Sequence, residues 1–381
     1  MNQTQSSAAR TNPLYPGMFD ALKGWCVLSI IITHHGGEGL FSEASAQWAA
    51  ASAWNSFLEY LYLLLVHYII LIPLLVTLGG FGFRPMPFKL CLKKQTRLLI
   101  KPYVITGLIT AVLKFIAHCA LFRDPAGAVA ATISVLGAYG IGLSAPVEVL
   151  GFTFYTIGPI WYLLMLFFAW QILNAILYYA PKRLVPGLLG LCMVCWYVVE
   201  HFGLQHISIF LAPLYVVYLY IGYQIRERNL LTKDLPPWKW TVIIAFAVYF
   251  LRYTWKGTPL PTSLLGIIVE ETMYRVGGVC TIFLLMRFSL WLNRFQFPLR
   301  ENLCTVGRYA PWFMCLHSVE YVACFWWVWI EKLNAHFSVG MVYIITLFLR
   351  GLVIYLGFRL LLWWNAYKSK SRKRRKQRAS P

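Results

Sequence analysis

The sequence predicts an all-α fold, namely a polytopic integral membrane helical bundle with about ten transmembrane helices. Composition is the first reason, because 59% of the 381 residues are hydrophobic and only 13% are charged. Soluble domains contain about 25% charged residues. The length of the apolar runs is the second reason, since many approach the roughly 20 residues that a helix needs to cross the hydrocarbon core. The mean hydropathy of +0.61 agrees with this fold class.

The apolar segments predicted to span the bilayer follow one another along most of the chain. They lie near residues 19–37, 57–80, 102–121, 153–179, 185–201, 208–225, 238–255, 264–286, 303–330 and 340–365. A further stretch, 124–151, is rich in Ala, Gly and Ser and leaves two alternatives open. It is either an interfacial or re-entrant helix on the outer side, or an eleventh span.

The distribution of basic residues predicts the orientation. With a cytoplasmic N-terminus, most basic loops fall on the inner side, whereas the outer loops keep few cations, such as Arg123 and Lys332. Inner loops of bilayer proteins are enriched in Lys and Arg, so ten spans with both termini cytoplasmic are favoured over eleven. The predicted location is the bacterial inner membrane. The predicted parts are a cytoplasmic N-terminal segment (1–18), a transmembrane domain (19–366) and a basic cytoplasmic tail (367–381).

The net charge of +20 does not indicate nucleic-acid binding. Eight of the 34 basic residues lie in the last fourteen positions, and most others lie in short loops between apolar segments. This distribution is typical of a membrane protein, and the basic tail favours contact with anionic lipid headgroups. The nine cysteines lie mostly within apolar runs and indicate neither a disulfide framework nor a metal site.

The first apolar segment contains the best candidates for catalytic residues. Lys23 and His34 are eleven residues apart, which is close to three helical turns, so both project from one face about 16 Å apart. Asp20 joins the same stripe. An imidazole titrates near neutral pH and can act as a general base, so His34 is the predicted base. The alternative is a histidine that is only hydrogen-bonded within the bundle. His35 points about 100° away and is predicted to pack within the bundle or to support the site residues.

A cluster of cations follows the second apolar segment and includes Lys93, Lys94 and Arg97. Such a cluster beside the membrane attracts phosphate groups. Ordinary positive-inside topology also explains this cation cluster.

Further along, Trp161 and Tyr162 are by default aromatic anchors at the membrane interface.

Four other polar residues lie within late apolar segments. His317 is equally well interpreted as a structural partner or a site residue, and Glu320, one turn further on, can orient it. Glu271 and Arg275 are spaced i, i+4, which predicts an intrahelical ion pair.

Several short motifs resemble, in order, those of the membrane-bound acyltransferase 3 family. The resemblance covers roughly positions 19 to 320. Its motifs are Asp20-x-x-Lys23-Gly24 with His34, Gly79-Gly80-Phe81, and Lys94-x-x-Arg97 before Pro102-Tyr103. Further along they are Gly158-Pro159-Ile160-Trp161-Tyr162-Leu163, Tyr220-Ile221-Gly222-Tyr223, and Gly307-Arg308 with Leu316-His317. The chain departs from the family pattern at Lys23 and Lys94, where arginine is usual. Lysine keeps the charge but lacks the bidentate fork of arginine.

The resemblance implies a membrane O-acyltransferase, most simply an O-acetyltransferase. Acetyl-CoA would be the donor, a hydroxyl of a cell-surface glycan or glycan precursor the acceptor, and no metal is implied. His34 would be the base, with Lys23 and Asp20 beside it. Lys93, Lys94, Arg97, Trp161 and Tyr162 would bind the donor, and His317, His35 and Glu320 would contact substrate or support the site.

Two other classes of protein fit the same residues. A transporter or flippase for an anionic glycan or lipid-linked substrate would also carry intramembrane cations, but it needs no base at His34. A non-catalytic, receptor-like bundle would use Lys23 and His34 only for pairing with Asp20 and a neighbouring helix.

Overall fold

A computed structural model of the chain describes residues 17–36, 39–66, 68–149, 151–256 and 264–379. The described chain is predominantly α-helical, as the sequence predicts. Of the predicted N-terminal segment 1–18, only Gly17 and Met18 belong to the described part. The predicted tail 367–381 begins inside the last helix, which continues to Ala379.

The elements of the first half are numbered in chain order. They are α1 (Asp20–Gly36), α2 (Gly39–Ala50), α3 (Ala53–Val66), α4 (Tyr68–Phe81), α5 (Phe88–Gln95), a π-helical turn (Thr96–Ile100), α6 (Lys101–Phe122), α7 (Pro125–Ile141), and the strands β1 (Val147–Val149) and β2 (Phe152–Phe154). The two strands pair antiparallel, with Glu148 opposite Thr153. Among the described residues, these two strands form the only β-sheet.

In the second half of the described chain, every regular element is a helix or a helical turn. They are a 3₁₀ turn (Gly158–Ile160), α8 (Trp161–Tyr179), α9 (Val185–His201), α10 (Ser208–Glu227), α11 (Pro237–Lys256), α12 (Leu264–Leu292), α13 (Arg300–Arg308), α14 (Ala310–Ala323), α15 (Trp326–Asn334) and α16 (Val339–Ala379). Short 3₁₀ turns precede α9 and α10.

Within the described residues, six helices are long and apolar enough to cross a membrane. They occupy 88–122, 158–179, 182–201, 208–227, 269–292 and 339–364. A seventh arises if α14 and α15, which meet at a bend of 63°, count as one broken span. The predicted segment 303–330 is divided among shorter helices, whereas the predicted segment 57–80 contains residue 67, which lies outside the described residues. Within the described residues, length and composition thus identify six or seven spans, and the other spans of the predicted ten stay a prediction.

At one end of the bundle, the start of α1 and the ends of α4, α10 and α12 lie close together. Asn293 donates through Nδ2 to the Met18 carbonyl oxygen at 2.6 Å, and the Phe19 and Phe81 rings lie 5.4 Å apart between centroids. Arg226 donates to the Phe81 carbonyl oxygen at 3.0 Å. We call this the basic end, because the cation cluster of α5 begins a few residues after Phe81.

The stretch 124–151 contains α7, which packs back along α6. The Tyr103 hydroxyl donates to the Tyr139 carbonyl oxygen at 2.5 Å, and the Ile157 amide donates to the Leu143 carbonyl oxygen at 3.2 Å. The end of α7 therefore lies beside the start of α8. Helix α8 then runs to the basic end, where the Tyr179 hydroxyl accepts from the Phe88 amide. With 17 residues, α7 is shorter than the helices that are long enough to cross a membrane.

Helix α1 packs against α13 at backbone distance. A Cβ atom on Gly24 would overlap the Leu303 carbonyl oxygen, and one on Gly307 would overlap the Asp20 carbonyl oxygen. Only glycine permits so close an approach of two helices. The contact holds the first turns of α1, and therefore Lys23, at a fixed position in the bundle.

This contact yields a prediction for Gly24→Ala. The added methyl group meets rigid backbone on α13, so we expect the free energy of unfolding to fall by about 1–3 kcal/mol. A lower Tm of the purified protein in detergent would show it. The control is Gly190→Ala in α9, where a Cβ atom meets nothing within 4 Å and better helix propensity leaves stability equal or slightly higher. An unchanged Tm for Gly24→Ala would contradict the close contact.

Candidate functional site

His34 lies in the last turn of α1 and is partly buried. Its Nδ1 lies 2.8 Å from the Ile30 carbonyl oxygen. Because a carbonyl oxygen only accepts hydrogen bonds, Nδ1 carries the hydrogen and Nε2 of the neutral ring keeps its lone pair. The local helix thus presents the nitrogen that a general base needs.

The structure brings His34 together with His317, which lies on α14. The two rings meet edge to face with centroids 5.3 Å apart. The Tyr321 ring, one turn further along α14, lies 5.5 Å from His34. Two predicted site residues, far apart in sequence, therefore form one aromatic and imidazole cluster.

His317 is oriented by Glu320. Both side chains are fully buried, and His317 Nδ1 lies 2.6 Å from Glu320 Oε1. The carboxylate accepts the Nδ1 hydrogen, which leaves the lone pair of the neutral ring on Nε2. Within the described part of the chain, that buried Nε2 has no hydrogen-bond partner. A buried, unpaired imidazole nitrogen is what a proton-accepting site would contain.

Arg350 on α16 supplies the charge that Glu320 requires. Its side chain is 1% exposed, and its Nε donates to Glu320 Oε2 at 3.2 Å. Trp326, the first residue of α15, donates through Nε1 to the same oxygen at 2.5 Å. The carboxylate is therefore bound by donors from α14, α15 and α16. Arg350 is not among the residues predicted from the sequence, although an arginine in the middle of the apolar segment 340–365 is a recognisable signal.

His35 is attached to the same cluster from the other side. Arg350 donates through NH1 to His35 Nδ1 at 3.0 Å. The opposite nitrogen, Nε2, donates to the Tyr343 carbonyl oxygen at 3.0 Å. His35 is fully buried, so it connects α1 to α16 and does not face the His34 ring. Because an arginine only donates, the tautomer of His35 is fixed by its partner.

A helix break places Trp326 beside Glu320. Phe325 has a left-handed backbone with φ of 47° and precedes α15. Lys114 on α6 donates to the Val322 carbonyl oxygen at 2.9 Å, and its ammonium group lies 3.5 Å from the Phe325 ring centroid. Lys114 thereby satisfies a carbonyl group that the broken helix leaves without its usual partner.

The Gly158-Pro159 segment packs against the helix that carries His317. Ser318 donates to the Ile157 carbonyl oxygen at 2.5 Å, and the Tyr139 hydroxyl lies 3.1 Å from Ser318 Oγ. Gly158 adopts a φ of +67°, and a Cβ atom there would lie 3.1 Å from the Tyr321 ring. This motif therefore supports the cluster from α7 and α8.

The other predicted catalytic residues lie elsewhere. Lys23 pairs with Asp20 at 3.1 Å and is partly exposed. Both belong to the first turns of α1, whereas His34 belongs to its last turn, about 16 Å away along the axis. The structure does not bring Lys23 and Asp20 to the imidazole cluster; instead it places them at the basic end.

The predicted donor-binding residues do not form a single pocket. Lys93, Lys94 and Arg97 are exposed on α5 and the π-helical turn that follows it. Tyr162 is buried in the core, and Trp161 packs against the core while partly buried. The buried Tyr162 therefore does not share the surface on which the three cations lie.

A second ionic cluster lies on α12. Arg275 NH2 is 2.8 Å from Glu271 Oε2, which confirms the predicted intrahelical pair. Glu200 at the end of α9 lies 3.8 Å from the same nitrogen. Among the described residues, no group of His, Cys, Asp or Glu side chains is arranged to hold a metal ion.

Comparison with known proteins leaves the family open. No protein-family model, no curated protein and no solved structure matches the chain. The chemistry of the site therefore rests on its own residues.

The Arg350–Glu320 pair yields a prediction about stability. In Arg350→Met the buried carboxylate loses its cation, so we expect a loss of about 3–5 kcal/mol, read as a lower Tm in detergent. Arg350→Met combined with Glu320→Gln should recover part of that loss, because no uncompensated charge remains. Arg359→Met is the matched control, since this residue is exposed on the same helix. If Arg350→Met and Arg359→Met lower the Tm equally, the pair is not a structural requirement.

Proposed function

We propose that the protein is a membrane O-acyltransferase that moves an acetyl group from cytoplasmic acetyl-CoA to a hydroxyl of a cell-surface glycan or glycan precursor. The observation that carries the proposal is the contact of two imidazole rings, His34 and His317, with one of them held by a buried carboxylate. Both rings present Nε2 as the basic nitrogen. The resemblance of the motifs to the acyltransferase 3 family agrees with this chemistry.

The proposed reaction uses His34 as the general base. Nε2 takes the proton of the acceptor hydroxyl while that oxygen attacks the thioester carbon, and the carbon–sulfur bond then breaks. The departing thiolate takes the proton from the imidazolium, so the ring returns to its neutral form. His317 lies against His34 and is oriented by Glu320. It would fix the position of the acceptor hydroxyl or share the proton.

The proposed topology has ten spans and both termini in the cytoplasm of a bacterial inner membrane. The basic end would then face the cytoplasm, and the exposed Lys93, Lys94 and Arg97 would contact the phosphates of acetyl-CoA. Lys23 lies at the same end and would hold an anionic part of the donor. His34, about 16 Å further along α1, would meet an acceptor that arrives from the outer side.

A second candidate function is transport or flipping of an anionic glycan or lipid-linked substrate. The observation that favours it is the 63° bend between α14 and α15 beside the buried Arg350. Broken helices near charged residues are frequent in transporter binding sites. A transporter would bind the donor or acceptor without breaking a thioester bond.

The role of His34 can be tested with labelled acetyl-CoA and purified protein in liposomes that contain the surface glycan. His34→Ala should lower acetyl transfer by about 10²–10⁴-fold, the range of general acid–base catalysis, with no loss of protein from the membrane. His317→Ala should lower it as well. His336→Ala is the control, because this histidine is exposed. Transfer by His34→Ala at the wild-type rate would refute the assignment, and binding without turnover in the wild type would favour the transporter.

The role of the exposed cations can be tested separately. Changing Arg97 to Gln together with Lys94 to Gln should raise the KM for acetyl-CoA by about tenfold or more, with kcat little changed, because phosphate contacts hold ground state and transition state alike. Lys182→Gln with Arg183→Gln is the matched control, since both residues are exposed in the loop after α8. Equal KM values in the two double variants would show that the α5 cations do not bind acetyl-CoA and reflect only the positive-inside distribution of charge.

A further inference from the structure

A cavity of about 520 Å³ lies beside the first turns of α1 and is separate from the imidazole cluster. Its walls come from α1, α4, α11, α12 and α13, together with Tyr60 of α3. Leu22 and Trp25 face it from α1, and Phe250 and Leu285 face it from α11 and α12. Cavities of about 300–1,000 Å³ are the size of small-molecule binding sites.

The cavity is long and apolar. Its lining residues extend from Thr281 on α12 to Asn293 just after the end of that helix, and twelve residue steps of helix correspond to about 18 Å. Apart from a few hydroxyl and amide groups, such as that of Ser289, the lining is hydrocarbon and aromatic. An apolar space of this kind does not hold ordered water. Its length and chemistry suit one extended hydrocarbon chain.

At the end remote from the basic end, the cavity borders a smaller space. Phe250 and Ile70 line both this cavity and a smaller one of 90 Å³ next to Arg275. The Phe250 ring stacks on Tyr274 with centroids 4.9 Å apart. Phe250 and Ile70 thus lie between two adjacent spaces.

The other end of the cavity lies at the basic end of the bundle. Asn293 and Phe297 line it there, and Arg294 and Arg300 flank them in sequence. Arg300 Nε is buried and has no hydrogen-bond partner within the described residues. A phosphate group would satisfy such a donor, and exposed aromatic rings such as Trp291 are typical of the headgroup level.

We propose that this cavity binds one acyl chain of an anionic phospholipid, with the phosphate beside Arg300 and Arg294 and the end of the chain against Phe250. Charge complementarity at the basic end and the apolar 18 Å path behind it carry the proposal. It does not depend on the acyltransferase function, because lipid binding is measured without acetyl transfer.

The test uses the full-length protein in nanodiscs of phosphatidylcholine that contain a minor fraction of phosphatidylglycerol with a photoreactive acyl chain. After illumination, mass spectrometry of the peptides should find the label on the segment from Thr281 in α12 to Asn293 just after it. Ser289→Trp fills the cavity and should reduce this labelling by about tenfold, the effect of excluding roughly two methylene groups. Val276→Trp is the matched control, because Val276 is exposed on the same helix and does not line the cavity.

Two further variants test the two ends of the cavity. Phe250→Ala joins the cavities and should move the label of a longer photoreactive chain toward Arg275. Arg300→Gln should remove the preference for phosphatidylglycerol over a phosphatidylcholine probe with the same chain. If Ser289→Trp does not fold, as judged by size-exclusion chromatography, Ser289→Leu replaces it with a smaller obstruction. Equal labelling of wild type and the folded Ser289 variant would overturn the proposal, and equal labelling by both probes would overturn its anionic specificity.

Discussion

The Glu320 carboxylate is the interaction on which the candidate site depends. It receives hydrogen bonds from His317, Trp326 and Arg350, which belong to three different helices. Through Arg350 the network continues to His35 on α1. A buried carboxylate without these donors would be strongly destabilising, so the helices are held in the arrangement that satisfies it. The contact between His34 and His317 follows from that arrangement, since α1 and α14 are both tied to it.

The motifs that resemble an acyltransferase family have a packing role as well as a chemical one. Gly24 and Gly307 allow α1 and α13 to approach at backbone distance, and Gly158 supports the Tyr321 ring. A pattern of such glycines can therefore be retained by any bundle with the same helix contacts. His317 is different, because packing alone does not require its buried imidazole nitrogen, which has no partner within the described residues. His317 and the His34 ring that it contacts therefore carry more of the functional argument than the glycines do.

Local spacing explains which parts of the site could be predicted from sequence. The His317–Glu320 and Glu271–Arg275 pairs lie within single helices, where residues three or four apart are neighbours. The link from His35 to Arg350 joins residues 315 positions apart, and no periodic pattern reports such a contact. The sequence also did not predict the helix break at Phe325. A glycine often marks a left-handed backbone position, whereas a phenylalanine in that conformation gives no such indication. The helical fold itself was predictable from the apolar composition, but the breaks that divide the apolar segment 303–330 into shorter helices were not.

The pairing of Arg350 also bears on the choice between the two candidate functions. Arg350 and Glu320 together add no net charge to the apolar region, which is the arrangement that a membrane interior favours. An anion carried by a transporter would have to displace Glu320 from Arg350, and this would leave a carboxylate buried beside His317 without its cation. A hydroxyl acceptor makes no such demand, because it is neutral and needs only a lone pair to take its proton. The neutral, already paired site therefore suits a base acting on an alcohol better than a carrier of an anion.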